Sequence, residues 1–211
     1  NSPISFVAIL KDIEMVDRFI SLGLNVNHRG EDGLTPIFHA CYSGSFEVFQ
    51  KLLECGAKTD IVRRKGETLL MAACSGGNID IVNKLIELNV NLNVTSNYGD
   101  TALYHACTNK ATIEIFDKIH DNLKLRTNYS TLLFPAIEHD KLDAFNRLIQ
   151  LGADPEFECE GVTPFSYVAK FGSARIFERF VELGAVDIYC ERKGTFSFYE
   201  ACSKDFHAVV D

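Results

Sequence analysis

Apolar and polar positions follow one another along this chain in units of about 33 residues. Short apolar segments start at residues 2, 35, 68, 101, 131, 163 and 196, in steps of 33, 33, 33, 30, 32 and 33 residues. A second apolar stretch with helical spacing follows, as at Ile79, Val82, Leu85 and Ile86. A mainly polar stretch then leads to the next segment. The pattern predicts repeated helix pairs that bury their apolar faces against neighbouring units.

Helix boundaries are marked by threonine at the start and by glycine or asparagine at the end. A threonine hydroxyl accepts a hydrogen bond from a free N–H of the first helical turn. We expect such caps at Thr35, Thr68, Thr101, Thr131 and Thr163. Proline follows at residues 36 and 164, where its missing N–H costs nothing. We expect Gly56, Gly152 and Asn89 to end second helices in the left-handed conformation.

Two segments carry the pattern most completely: "GLTPIFHACYSG" with "LLECGA", and "GVTPFSYVAKFG" with "VELGA". They resemble the ankyrin repeat, whose signature is G-x-T-P-L-H-x-A-A-x-x-G followed by L-L-x-x-G-A. The resemblance extends over residues 1–211 and implies an all-α ankyrin-repeat solenoid, a single array of about seven stacked helix-turn-helix units joined by β-turn or hairpin loops. The signature histidine is missing from every unit, and its slot holds Ser5, Phe38, Met71, Tyr104, Phe134, Ser166 and Tyr199.

The fourth and the last units depart from the pattern. The fourth has an extra residue near "TNKAT" and a short loop in "HDNLKLRTNYS", so we expect a distorted junction near residues 118–130. The last unit begins with Phe196 instead of a cap and stops inside its second helix. We expect both ends to be cut from a longer array or a larger protein, because repeat arrays carry polar capping units.

The net charge limits the kinds of partner, and the cysteine content indicates the cellular compartment. The net charge is −8, which argues against nucleic-acid and anionic-membrane binding, and no apolar run approaches the length of a membrane helix. Seven cysteines without a C-x-x-C pair indicate a reduced, intracellular chain. We expect a cytoplasmic monomer, with a nuclear location as the alternative.

His39 and Cys41 raise the question of a metal or catalytic site. Cysteines fill one buried slot in four units, at Cys41, Cys74, Cys107 and Cys202. Helices pack about 8–10 Å apart, too far for a disulfide or a shared zinc between units. No phosphate loop, nucleophile elbow or H-E-x-x-H motif is present, so we expect no enzyme activity, cofactor or metal. A catalytic site assembled only in three dimensions stays open.

The resemblance implies a protein-binding module that holds a partner protein or peptide across its concave face and loop tips. The alternative is a regulatory or targeting domain of a larger enzyme, channel or adaptor. Aromatic and arginine residues contribute most of the binding energy in protein interfaces. A basic loop suits the binding of an acidic or phosphorylated segment. The alternative is that the loop is only solvated. The predicted partner-binding residues are His39, Tyr42, Arg64, Lys65, Tyr98, His105, Asn109, His139, Tyr167, Lys170 and Phe171.

Overall fold

The computed structural model describes residue 8 and residues 11–30, 33–108, 110–123, 128–171 and 173–185. The described part is helical, with two isolated antiparallel bridges and no strand. Its α-helices are α1 (Ile13–Ser21), α2 (Pro36–Ser43), α3 (Phe46–Glu54), α4 (Leu69–Gly76), α5 (Ile79–Glu87), α6 (Ala102–Ala106), α7 (Ile113–Asn122), α8 (Leu133–Glu138), α9 (Leu142–Gln150), α10 (Pro164–Phe171) and α11 (Ala174–Leu183). Helices α2, α4, α6, α8 and α10 are the first helices of their repeats.

The chain divides into two compact units, residues 1–125 and residues 126–211. In the first unit, α2 packs on α4 and α4 packs on α6, while α3, α5 and α7 pack on one another as second helices. The second unit repeats this arrangement, with α8 on α10 and α9 on α11. The all-α repeat fold is therefore confirmed. A single array over the whole chain stays a prediction.

Three of the five described threonine caps form as expected. Thr68 accepts a hydrogen bond from the backbone of Met71, Thr101 does the same within α6, and Thr163 accepts from the N–H of Ser166 at 3.2 Å. Thr35 occupies the cap position with an extended backbone, but its hydroxyl makes no cap bond. These bonds satisfy N–H groups that a helix start leaves without a partner.

The cap expected at Thr131 is wrong. Thr131 lies inside a 3₁₀ helix, Tyr129–Leu132, that precedes α8. Asn128 takes the capping role instead, because its side chain accepts a hydrogen bond from Ser130 N–H at 3.1 Å. This repeat begins 30 residues after the previous one, so its shortened loop enters the helix through a tighter turn. The start of the last unit, at residue 196, lies outside the described residues.

Glycine ends the first helices where neighbouring repeats come closest. Gly77 closes α4 in the left-handed region, with φ of 76°. A Cβ atom on Gly77 would lie 2.2 Å from the carbonyl oxygen of Lys110. Gly56 and Asn89 also adopt the left-handed conformation after second helices, with φ of 83° and 55°, as predicted.

Large side chains fill the space between the two rows of helices. In the first unit Phe38, Phe49 and Phe116 are fully buried. In the second unit the rings of Phe145 and Phe180 lie 5.1 Å apart. Apolar residues recur at helical spacing on each second helix, so one face of each helix points into this core.

Candidate functional site

A closed polar network sits where the α2 helix meets the loop before α4. The hydroxyl of Tyr42 donates to Oε1 of Glu67, and Nη1 of Arg63 lies 3.1 Å from Oε2 of the same carboxylate. Burial and the bond to Glu67 raise the pKa of Tyr42 well above its ordinary value. Tyr42, a predicted partner contact, is half-buried, and its hydroxyl is already hydrogen-bonded within this network.

The same loop turns two further cations outward. Arg64 and Lys65 are both exposed. The Lys65 ammonium lies 5.0 Å from the centre of the Tyr98 ring, and Tyr98 itself is 67% exposed. Asn97 N–H donates to the carbonyl of Lys65 at 2.9 Å, which ties the two loops together. We call Arg64, Lys65 and Tyr98 the loop-tip cluster; sequence reasoning predicted all three as partner contacts.

The prediction that His39 contacts a partner conflicts with its burial in α2. Only 7% of His39 is accessible, and every other residue of α2 from Pro36 to Cys41 is also buried. Helix α2 has only eight residues and packs against both α3 and α4, so little of its surface is left for solvent. His39 is therefore a core residue of its repeat.

His105, in the same slot two repeats later, is half-buried. Its Nδ1 lies 2.9 Å from the hydroxyl of Ser75 on the preceding first helix. Burial lowers the pKa of His105 and outweighs the opposing effect of Glu67 and Asp100. The imidazole is thus neutral at pH 7 and joins two repeats as a hydrogen-bonding group.

In the second unit, three predicted contacts come together on α10. The rings of Tyr167 and Phe171 lie 4.4 Å apart, and the Lys170 ammonium lies 5.3 Å from the centre of the Phe171 ring. Tyr167 also meets the edge of Phe134 and donates a hydrogen bond to Glu138 at 3.1 Å. We call Tyr167, Lys170 and Phe171 the α10 patch.

Sequence reasoning missed Phe134 as a neighbour of this patch. The residue occupies the slot of the absent signature histidine. An aromatic residue in that slot is a usable signal for aromatic contact between neighbouring repeats. His139, another predicted contact, is half-buried beside the end of α8, while Asn109 lies outside the described residues.

The cysteines behave as core residues where the structure describes the shared slot. Cys41, Cys74 and Cys107 are fully buried, as predicted. Burial raises the pKa of Cys74 to about 12 and that of Cys41 higher still, so neither is a thiolate at neutral pH. Residue 202, the fourth cysteine of this slot, lies outside the described residues.

Metal and membrane sites are not evident in the described part of the chain. Its histidine, cysteine and acidic side chains form no group of three that could hold a metal ion. None of its helices is both long and apolar enough to span a bilayer. The clusters on its surface consist of aromatic rings, cations and satisfied hydrogen bonds, which suit non-covalent recognition.

The fold places this chain in the class of repeat proteins built from stacked helix pairs. Two family models, described as ankyrin repeats in three copies and in many copies, match residues 47–125 and residues 4–53. Together they extend from residue 4 to residue 125, more than half of the chain. The chain belongs to the ankyrin-repeat family, and this fold is generally a non-enzymatic module for protein–protein interaction.

Solved structures agree on the fold. The ankyrin repeat domain of human ASB11 is similar over 97% of this chain and 98% of that chain, with a TM-score of 0.73 and 19% identity. A chain in the complex of the predatory endopeptidase Bd0816 from Bdellovibrio bacteriovorus with immunity protein Bd3460 is similar over 85% of this chain and 98% of that chain, with a TM-score of 0.64 and 22% identity. No curated protein sequence matches significantly.

Proposed function

We propose that this chain binds a partner protein or an extended peptide through its loop tips and first helices. The observation that carries the proposal is the exposure of aromatic side chains on that surface. Tyr98 on a loop tip is 67% exposed, and Phe171 on a first helix is 38% exposed. Aromatic residues concentrate binding energy in protein interfaces because each buries a large, rigid area.

Two further facts support the proposal. The ankyrin fold serves protein recognition in general, and one of the similar solved chains comes from a complex of an endopeptidase with an immunity protein. Cations lie against both exposed aromatics, Lys65 at Tyr98 and Lys170 at Phe171. An aromatic ring beside a cation offers a partner an apolar face and a charge within one contact area.

The experiment is affinity capture from lysate with the wild-type chain and a Tyr98→Ala/Phe171→Ala variant. The matched control is Ile13→Ala/Val181→Ala, which removes two exposed apolar side chains from second helices. Circular dichroism verifies that all three proteins are folded. We expect a partner that the wild type and the control retain and the aromatic variant loses. Equal retention by the aromatic variant would contradict binding at this surface.

The location stays a separate proposal. We propose that the chain works in the cytoplasm, since its described cysteines are free thiols and three of them are buried. Free thiols persist in reducing compartments. Fractionation of cells that express the native protein is the test.

A further inference from the structure

The loop "VRRKGE" divides its three cations between two roles. Arg63 faces inward: its backbone N–H donates to the carbonyl of Glu67 at 2.9 Å and its guanidinium pairs with the Glu67 carboxylate. Glu67 is the one acidic residue of this loop, and the Tyr42 hydroxyl takes its other oxygen. No carboxylate of the loop is therefore left for Arg64 and Lys65.

Arg64 and Lys65 are held between neighbouring loops without being neutralised. The Arg64 side chain lies against the preceding loop, since a Cβ atom on Gly33 would be 3.5 Å from its Cγ atom. Lys65 lies over the Tyr98 ring of the following loop, and its carbonyl is bonded to Asn97. Neither cation forms an ion pair with another described residue. Two positive charges on consecutive residues are thus left without an ionic partner among the described residues.

The positive charge of this pair is opposite in sign to the net charge of the whole chain. With a net charge of −8, the chain as a whole repels acidic partners at long range. A local pair of cations beside an exposed aromatic ring gives such a partner one favourable place to dock, and like-charge repulsion elsewhere fixes the register.

We propose that the loop-tip cluster recognises an acidic, extended segment of a partner protein. Carboxylates of the segment bind Arg64 and Lys65, and an apolar side chain next to them packs on Tyr98. This inference rests on the proposed function and names the chemistry of the partner at one part of its surface. Charge-assisted bonds from arginine and lysine are the strongest contacts that a carboxylate finds on a protein surface.

The backbone around the cluster favours carboxylates over phosphate. Phosphate sites usually add several backbone N–H donors to the side-chain cations. Here the N–H groups of Gly66, Asn97 and Tyr98 already donate to Arg63, Lys65 and Ser96 within the chain. These three N–H groups are therefore not available to a phosphate, and the side chains of Arg64 and Lys65 are the cations that a carboxylate meets at the loop tip.

The test measures fluorescence anisotropy of a labelled glutamate/glycine dodecapeptide that carries one leucine, with the full chain. The decisive variant is Arg64→Glu/Lys65→Glu. The matched control, Lys58→Glu/Lys110→Glu, makes the same change in net charge at two other exposed lysines of this unit. We expect the decisive variant to weaken binding by about tenfold, the control by less than about twofold, and Tyr98→Ala to lower the affinity as well. The affinity should also fall as salt is added.

Three results would overturn the inference. They are an absence of binding to the glutamate peptide, equal losses in the decisive and control variants, and binding of a phosphoserine version of the peptide without binding of the glutamate version. Repeating the lysate capture with the decisive variant separates this failure from that of the proposed function. A partner that the wild type captures and the decisive variant retains leaves the function intact and removes the acidic-segment inference. A wild type that captures no specific partner removes the proposed function itself.

Discussion

At the scale of single residues, the same residue type takes different roles according to its neighbours. Arg63 and Arg64 are adjacent in the sequence, yet one pairs with Glu67 and the other faces solvent. His39 and His105 share a repeat slot, yet one is buried in a short helix and the other bonds to Ser75. The repeat position alone therefore does not define the chemistry of a side chain.

His105 predicts a pH dependence of stability. Its folded-state pKa lies below the ordinary value of 6.5, so the unfolded chain binds the proton more readily. The stability that the neutral imidazole contributes is present above about pH 6.5 and is lost as the pH falls through the lower folded-state value.

We expect the free energy of unfolding of the wild type, measured in urea, to fall more steeply on acidification than that of His105→Gln. His28→Gln serves as the control at an exposed histidine, and its pH profile should follow the wild type. Parallel profiles for the wild type and His105→Gln would show that burial of this ring does not control the response.

At the scale of elements, the close contact between repeats depends on positions without a side chain. Helix α4 ends at Gly76 and Gly77, and both face backbone atoms of neighbouring repeats at distances that no Cβ atom tolerates. A Cβ atom on Gly76 would lie 1.9 Å from the carbonyl oxygen of Cys41. Gly76 lets the backbone of α4 approach that of α2, and Gly77 lets it approach the segment after α6 at Lys110.

We expect Gly77→Ala to cost about 3 kcal/mol of unfolding free energy, since it adds a backbone clash to a left-handed residue. The control is Gly56→Ala, which has a similar φ of 83° but open space within 4 Å of its Cβ position. Its cost should be about 1 kcal/mol, the penalty of the left-handed conformation alone. Urea unfolding of both variants measures the difference, and equal costs would mean that the repeats relax apart at Gly77.

At the scale of the whole molecule, the chain is a series of repeats grouped into two compact units. Each unit has its own core, built from the apolar faces of its helix pairs. The reactivity of the thiols tests this organisation, because some cysteines lie in the core and others in loops. Cys41 and Cys74 are buried in the first unit, and Cys159 is exposed in the second.

Timed alkylation with iodoacetamide, followed by peptide mass spectrometry, should modify Cys159 before Cys41 and Cys74 in the native protein. Cys41 and Cys74 should react only when urea opens the first unit, since burial both blocks the reagent and disfavours the thiolate. Rapid native modification of Cys41, at the rate of Cys159, would contradict the buried cysteine ladder.

The sequence by itself determined the repeat, most helix boundaries and the buried cysteine slot. These features depend on local rules: threonine caps, left-handed glycine and the helical spacing of apolar residues. The same rules failed at Thr131, because the shorter repeat replaced the usual cap with a 3₁₀ turn.

Only the tertiary structure decided which polar residues are available for a partner. His39 is buried by the helices around it, and the Tyr42 hydroxyl is bonded to Glu67, 25 positions later. In the basic loop Arg63 pairs with Glu67, whereas Arg64 and Lys65 are exposed. The physical reason is that the burial of His39 and the bond of Tyr42 to Glu67 depend on residues of other helices and loops, whereas helix formation depends on neighbours within one turn.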